Sequence, residues 1–298
     1  MKTYRKLFLT MVLPAPNGCN LKCPFCVISQ RGESTPVLTG DDYAHFIADS
    51  VSHFPITDLS IQGYEPLLAE SWILTKHILE TADTFSLGTR LVTNGTRLSL
   101  YAEELSGLVD VVTISLDSHR KEIHEKLRGV SGCFDQTIAG IREAVKYFGP
   151  DHVVIASVLF PGKQKYLTRM PKLLTDIGVK RWEIGLYTNF RNGTSLSNTE
   201  WIKDTLCALE QAGGTHGVEL SLSDELRRLE STGLYRDVHM STLKRDIYVV
   251  RLSPDATCSR GQEMMRPSIH APVWDRVELP NVFLKRILKE LGVKIQPK

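Results

Sequence analysis

Three cysteines near the start of this 298-residue chain, Cys19, Cys23 and Cys26, carry its clearest chemistry. They lie in Gly18-Cys19-Asn20-Leu21-Lys22-Cys23-Pro24-Phe25-Cys26, a C-x3-C-x-aromatic-C pattern. Thiolates this close on one loop suit three corners of a cubane iron–sulfur cluster. No fourth cysteine follows nearby, so one iron is left for a ligand from outside the protein. An open iron beside a loop is a reaction site rather than an electron relay. Zinc is the competing reading, but structural zinc takes four ligands, usually as two separated pairs, and no second cysteine pair follows Cys26. Cys133, Cys207 and Cys258 are scattered, which fits reduced thiols better than three disulfides.

Such a loop needs a frame. Apolar, β-branched runs predict strands near Leu7–Leu13, Asp58–Gln62, Arg90–Thr93, Val109–Leu116, His152–Phe160 and Lys180–Leu186. Helical patterns separate them: Asp41–Phe54 behind a Thr39 cap, Ser71–Thr81, Leu98–Ser106, Asp135–Tyr147 and Tyr166–Asp176. This alternation is the signature of β-α units on a parallel sheet. Six units fall short of the eight that close a full barrel, so the fold class is α/β with a partial (β/α)6 barrel, open at the side. Sites in such folds gather at the C-terminal ends of the strands.

Past Asn198 the repeat decays into a helix over Asn198–Gln211, a strand over Gly217–Leu222, a strand over Ile247–Leu252 with a turn at Ser253–Ala256, and a basic amphipathic helix over Asn281–Leu291. The expected division is a core over residues 1–197 and an extension over 198–298 that covers the barrel mouth. A net charge of +2 gives no case for nucleic acid or an anionic membrane as partner. No apolar run reaches bilayer length. Phe8–Pro14 sits behind Lys2, Arg5 and Lys6 but lacks a small-residue cleavage site, so a cytoplasmic protein is expected.

The order of motifs along the chain resembles the radical S-adenosylmethionine (radical SAM) superfamily. Beyond the cysteine loop, Ile61-Gln62-Gly63-Tyr64-Glu65-Pro66 is similar to the family's Gly-Gly-Glu-Pro element. Leu91-Val92-Thr93-Asn94-Gly95 and Ile114-Ser115-Leu116-Asp117 end the third and fourth strands, and Glu122–Gly129 reads like the family helix that supplies an arginine. The resemblance implies one 4Fe–4S cluster on Cys19, Cys23 and Cys26, with S-adenosylmethionine on the open iron. It further implies Phe25 against the adenine, Gly63 and Glu65 at the methionine amino group, Asn94 nearby, and Ser115 and Arg128 at the carboxylate. Tyr64 departs from the family pattern, standing where a second glycine is usual. If that position demands positive φ, a tyrosine there is strained.

Cys258 follows Arg251–Thr257, which resembles the entry to an auxiliary-cluster domain, yet no cysteine comes after it. A lone thiol there suits hydrogen-atom donation to a carbon radical; the competing reading is an inert buried thiol. Within the superfamily the chain resembles the aminoglycoside epimerases of antibiotic biosynthesis, of the neomycin C epimerase type. That resemblance implies an isomerase that inverts a sugar carbon with Cys258 as donor, served by an external one-electron donor such as flavodoxin or ferredoxin. Tyr64, Asp117, Glu183 and Tyr187 are expected to line the pocket, with Asn189, Asp224, Glu225 and Asp255 as further polar groups for a polycationic sugar. Dehydrogenation of a carbohydrate and modification of a ribosomal peptide are alternatives, and a non-catalytic iron–sulfur or zinc protein is the reading from another class. His119 and His124 are expected on a helix surface, and Cys133 and Cys207 in packing roles.

Overall fold

Every β-branched run singled out above forms a strand of one sheet. The computed structural model describes residues 2–13, 19–26, 38–187, 200–222, 247–252, 258–260, 278–290 and 292–295. After β1 (Lys2–Tyr4) come β2 (Lys6–Leu13), β3 (Ile56–Gly63), β4 (Gly88–Thr93), β5 (Val111–Ser115), β6 (Val153–Leu159), β7 (Arg181–Leu186), β8 (Glu219–Leu222), β9 (Ile247–Leu252) and β10 (Cys258–Arg260). The sheet order is β10-β9-β2-β3-β4-β5-β6-β7-β8. All neighbours pair in parallel except β10, which runs antiparallel to β9. Among the described residues β8 and β10 end the sheet without pairing to each other, so it stays open as a partial barrel does. A last strand, β11 (Val293–Ile295), pairs with β1 in a separate ribbon.

The connecting helices are α1 (Gly40–His53), α2 (Ala69–Thr84), α3 (Leu98–Leu105), α4 (Lys121–Arg128), α5 (Cys133–Phe148), α6 (Met170–Asp176) and α7 (Glu200–Thr215), with α8 (Pro280–Glu290) near the C-terminus. Thr39 and Asp42 start α1 with a reciprocal capping box. The stretch expected as one helix from Tyr166 splits into a 3-10 turn over Gln164–Tyr166 and α6. Pro171 explains the break: it fits only the first turn of a helix, so α6 begins at its doorstep. The sheet also continues past Asn198, where decay of the repeat was expected. Helix α7 leads into β8 beside β7, and β9 returns to the opposite edge beside β2. The turn over Ser253–Ala256 lies outside the described residues.

One sheet face carries the core. Leu91 on β4, Ile114 on β5 and Trp182 and Ile184 on β7 are fully buried with Tyr43, Phe46, Ile78 and Ile141 of the helices. The other phase behaves differently: in β4 and β7 every second residue is only half-buried. Parallel sheets are ordinarily covered on both faces, so this face borders a hollow. An ion pair spans it. Arg90 on β4 lies three strands from Glu183 on β7, about 14 Å along a flat sheet, yet Nη2 and Oε2 stand 3.4 Å apart.

Candidate active site

The cysteine loop follows β2 in the chain and is tied to the end of β4 and to the end of α4. Asn94, just past β4, donates from Nδ2 to Asn20 Oδ1 at 2.8 Å and to Cys19 Sγ at 3.5 Å. Its Oδ1 accepts from the Thr96 amide at 2.9 Å and the Thr96 hydroxyl at 2.7 Å, and Asn20 Nδ2 donates to that hydroxyl oxygen at 2.8 Å. The Leu21 amide also points at Cys19 Sγ, at 3.4 Å. On the far side of the loop the Lys22 amide donates to the Arg128 carbonyl at 2.9 Å. Gly129, with φ +74°, makes this approach possible: a Cβ there would sit 2.3 Å from the Lys22 oxygen. All three cysteines are free thiols, half-buried. Burial pushes the Cys19 thiol up to about 11; burial also raises Cys23, against the opposing pull of Arg128.

Glu65 is buried, and its carboxylate is taken up by the protein itself. Oε1 accepts from the Thr93 hydroxyl at 2.6 Å and the Leu67 amide at 3.1 Å, and Oε2 accepts from the Asn94 amide at 2.7 Å. Burial raises its pKa to about 6 despite these donors. Glu65 therefore straps the loop after β3 to the end of β4, directly beneath the Asn94–Cys19 contact. The conformational demand of this loop falls on Gly63, not on Tyr64. Gly63 has φ +140°, and a Cβ would meet the Leu13 backbone at 2.8 Å. Ser86 is the one non-glycine residue with positive φ among those described, so Tyr64 is not strained in that way.

Arg128, the last residue of α4, reaches back over the loop. Its Nη1 lies 3.9 Å from Cys23 Sγ, its Nε 2.7 Å from Asp117 Oδ2, and its Cζ 5.4 Å from the centre of the Phe25 ring. Asp117 is buried, with Oδ1 accepting from the Val158 amide at 3.0 Å. Its own amide donates to His124 Nδ1 at 3.2 Å. The expected surface position for His124 is therefore corrected: it is fully buried beneath this pair, and burial lowers it to about 4. Phe25 meets Phe160 edge-on at 5.0 Å, and Phe160 stacks on Tyr187 at 5.2 Å, so the ends of β6 and β7 add an aromatic wall. Ser115 ends β5, half-buried, in register with Ala156, which is in register with Glu183. On the same face Arg90 donates from Nε to Thr113 Oγ1 at 2.8 Å. Arg251 of β9 donates to the Gln62 amide oxygen from Nε at 3.0 Å and Nη2 at 2.7 Å, with that amide turned to accept. Cys258 begins β10, its backbone in register with Leu252, which is in register with Met11 of β2. Asn189, Asp224, Glu225 and Asp255 lie outside the described residues.

The loop, the strand-end contacts and the open sheet now stand together, and a model of the radical SAM superfamily matches residues 13–165, just over half of the chain. The chain belongs to the radical SAM superfamily. A curated relative is the "AdoMet-dependent heme synthase" of Methanosarcina barkeri, 35% identical over 131 residues, covering 42% of this chain and 35% of the relative. Another is a "Probable GTP 3',8-cyclase" of Thermococcus kodakarensis, 30% identical over 134 residues, covering 44% of this chain and 42% of the relative. The chain thus spans well under half the length of these relatives. Among solved structures, Streptococcus suis SuiB bound to precursor peptide SuiA superposes with a TM-score of 0.72 at 12% identity, covering 94% of this chain and 65% of that one. Native anSMEcpe with bound AdoMet gives a TM-score of 0.69 at 17% identity, covering 95% of this chain and 80% of that one. At these identities the likeness is one of fold.

Radical SAM enzymes use a 4Fe–4S cluster and S-adenosylmethionine, and the cysteine loop fits that cluster. Among the described residues no three His, Cys, Asp or Glu side chains converge as they would around a single ion. A cubane takes a different iron from each cysteine, so its thiolates stand apart. The Cys19 and Cys23 sulfurs already meet N–H donors, from Leu21, Asn94 and Arg128. Because burial holds Cys19 and Cys23 protonated, metal must displace their protons on loading. Sequence reasoning missed Asn20, Thr93, Thr96 and Phe160, which hold the loop and wall, and Arg90 and Arg251 on the hollow face. A further cavity of about 180 Å³, lined by Phe8, Asp58, Arg90, Asp110 and Arg181, opens at the N-terminal ends of the strands, away from the cysteine loop. Among the described residues no helix is long and apolar enough to cross a membrane.

Proposed function

We propose that this radical SAM enzyme abstracts a hydrogen atom from an unactivated C–H bond of a substrate that bears a carboxylate or phosphate group and sits against the hollow face of the sheet. The observation that carries this reading is the half-open inner face of the sheet, on which the guanidinium groups of Arg90 and Arg251 stand, the first beside Glu183 and the second on the Gln62 amide. When bound, the cluster and S-adenosylmethionine supply the 5′-deoxyadenosyl radical. The chain's own residues place and shield. Ser115, Ala156 and Gly185 are short and half-buried, which leaves room on this face. Phe25, Phe160 and Tyr187 wall the site with apolar surface, which limits water around a reactive radical. A guanidinium fork binds carboxylate or phosphate bidentately. The relative named as a GTP 3',8-cyclase favours the same direction, since GTP is a phosphorylated substrate.

Inversion of a carbon with Cys258 as hydrogen-atom donor is the proposed fate of the substrate radical, with an external donor such as flavodoxin or ferredoxin and a cytoplasmic setting as parts of the same reading. The lone late cysteine motivates it; cyclisation, dehydrogenation and peptide modification compete. The test is 5′-deoxyadenosine formation by anaerobically reconstituted, dithionite-reduced protein with S-adenosylmethionine and matched compound panels. Acceleration by phosphorylated or carboxylated compounds, lost in Arg90→Gln and Arg251→Gln, is the expected result. Acceleration by neomycin C and not by any anion would return the polyamine reading.

A further inference from the structure

We propose that the Asp117–Arg128 pair sets the reduction potential of the cluster through Cys23, with Asp117 and His124 as positioning residues for the guanidinium. The inference rests on the cluster reading of the cysteine loop. Arg128 spans the pair: Nη1 lies 3.9 Å from Cys23 Sγ, and Nε stands 2.7 Å from Asp117 Oδ2 as an ion-pair contact whose N–H is not aimed at that oxygen. Its positive end is thus presented to a cluster ligand and its counter-charge is held behind it. Both side chains are nearly sealed from solvent, at 10% and 0% exposure, so water and salt screen them less than they would surface charges.

The carboxylate cannot follow the guanidinium if the latter moves. Val158 holds Asp117 Oδ1 at 3.0 Å from β6, and His124 Nδ1 accepts the Asp117 amide at 3.2 Å from α4. His124 and Arg128 are four residues apart on α4, so they share one helix face and one rigid support. With Nδ1 accepting, the imidazole is neutral and adds no competing charge. Hydrogen bonds to cluster sulfurs and nearby net charge are among the factors that set iron–sulfur potentials. Reduction adds one electron to the cluster, and a guanidinium at Cys23 favours the reduced form. A buried carboxylate behind the guanidinium opposes it.

The two charges therefore predict shifts of opposite sign, which loss of packing would not produce. The measurement is an anaerobic redox titration followed by electron paramagnetic resonance, on reconstituted full-length protein without S-adenosylmethionine and with iron and sulfide quantified first. Arg128→Gln should make the cluster at least tenfold harder to reduce, a fall of about 59 mV for a one-electron couple. Asp117→Asn keeps the shape and the Val158 contact and should shift the potential the other way. Arg128→Lys, which keeps the charge, should stay closest to wild type. Equal potentials in all four proteins, or shifts of Gln and Asn in the same direction, would overturn the proposal. If Arg128→Gln does not load a cluster, the sign for Asp117→Asn decides alone. If none of the variants loads one, the pair is structural and the proposal fails. Wild-type protein that assembles no cluster would instead sink the cluster reading itself.

Discussion

Replacing Gly129 with alanine should damage the cysteine loop from outside the motif, and Gly132 provides its control. Both glycines have left-handed backbones, with φ of +74° and +81°. A side chain at either position carries the conformational cost of about 1–2 kcal/mol for an L-residue there, partly offset by a stiffer unfolded chain. Their surroundings differ. Around Gly132 a Cβ meets nothing within 4 Å, whereas at Gly129 it would stand 2.3 Å from the Lys22 oxygen and 2.8 Å from the Lys22 carbonyl carbon. That is roughly 1 Å short of ordinary contact, and the obstacle is backbone, so the loop must move. Movement breaks the hydrogen bond from the Lys22 amide to the Arg128 carbonyl, worth about 1 kcal/mol. Urea unfolding of the apoprotein should therefore show a loss of about 1 kcal/mol for Gly132→Ala and about 2–3 kcal/mol for Gly129→Ala, at similar m-values. Iron per chain after reconstitution should fall only in Gly129→Ala. Equal losses with full iron loading in both variants would refute the idea that this close approach seats the cluster loop.

Glu65 gives a pH signature. Its pKa rises from 4.5 in the unfolded chain to about 6 when folded, so its contribution to stability is fullest below pH 4.5, falls between 4.5 and 6, and is flat above. The gap between Glu65→Gln and wild type should move in favour of the variant by about 2 kcal/mol across that window; parallel unfolding curves would reject the shift. Arg90→Gln should leave the uncoupled rate of 5′-deoxyadenosine formation unchanged while abolishing acceleration by an anionic substrate, and an unaltered response to that substrate would remove Arg90 from recognition. Cys258→Ala should still produce 5′-deoxyadenosine but yield no inverted product. Wild-type protein in deuterated water should place one solvent deuterium at the inverted carbon, because a thiol proton exchanges. Full inversion by Cys258→Ala would end the donor assignment.

Local chemistry was legible in the sequence wherever a short segment carries its own constraint. The cysteine loop, the six strands through Leu186 and the capping box at Thr39 all follow from spacing within a dozen residues. What escaped depends on pairing across the chain. β8 has four residues and β9 crosses to the opposite sheet edge, so neither announces that it extends the parallel sheet. His124 sits in the charge-rich helix Lys-Glu-Ile-His-Glu-Lys-Leu-Arg and reads as a surface residue. A usable signal was present: a histidine four residues before Arg128 must share the face that Arg128 turns to the loop. Glu65 reads as a ligand-facing acid, yet two of its three donors come from residues 28 and 29 positions later, which no local pattern reveals. Arg90 and Arg251 escaped because their meaning depends on which sheet face is hollow.

The most direct test is to reconstitute the protein with iron and sulfide under anaerobic conditions, reduce it with dithionite and assay S-adenosylmethionine cleavage, beside a Cys19→Ala, Cys23→Ala, Cys26→Ala triple variant. Radical SAM chemistry predicts a 4Fe–4S spectrum that changes on adding S-adenosylmethionine, and 5′-deoxyadenosine from wild type but not from the triple variant. A wild-type protein that holds its cluster yet neither responds to S-adenosylmethionine nor cleaves it, across the substrate panels, would contradict the assignment of a reaction site to this loop.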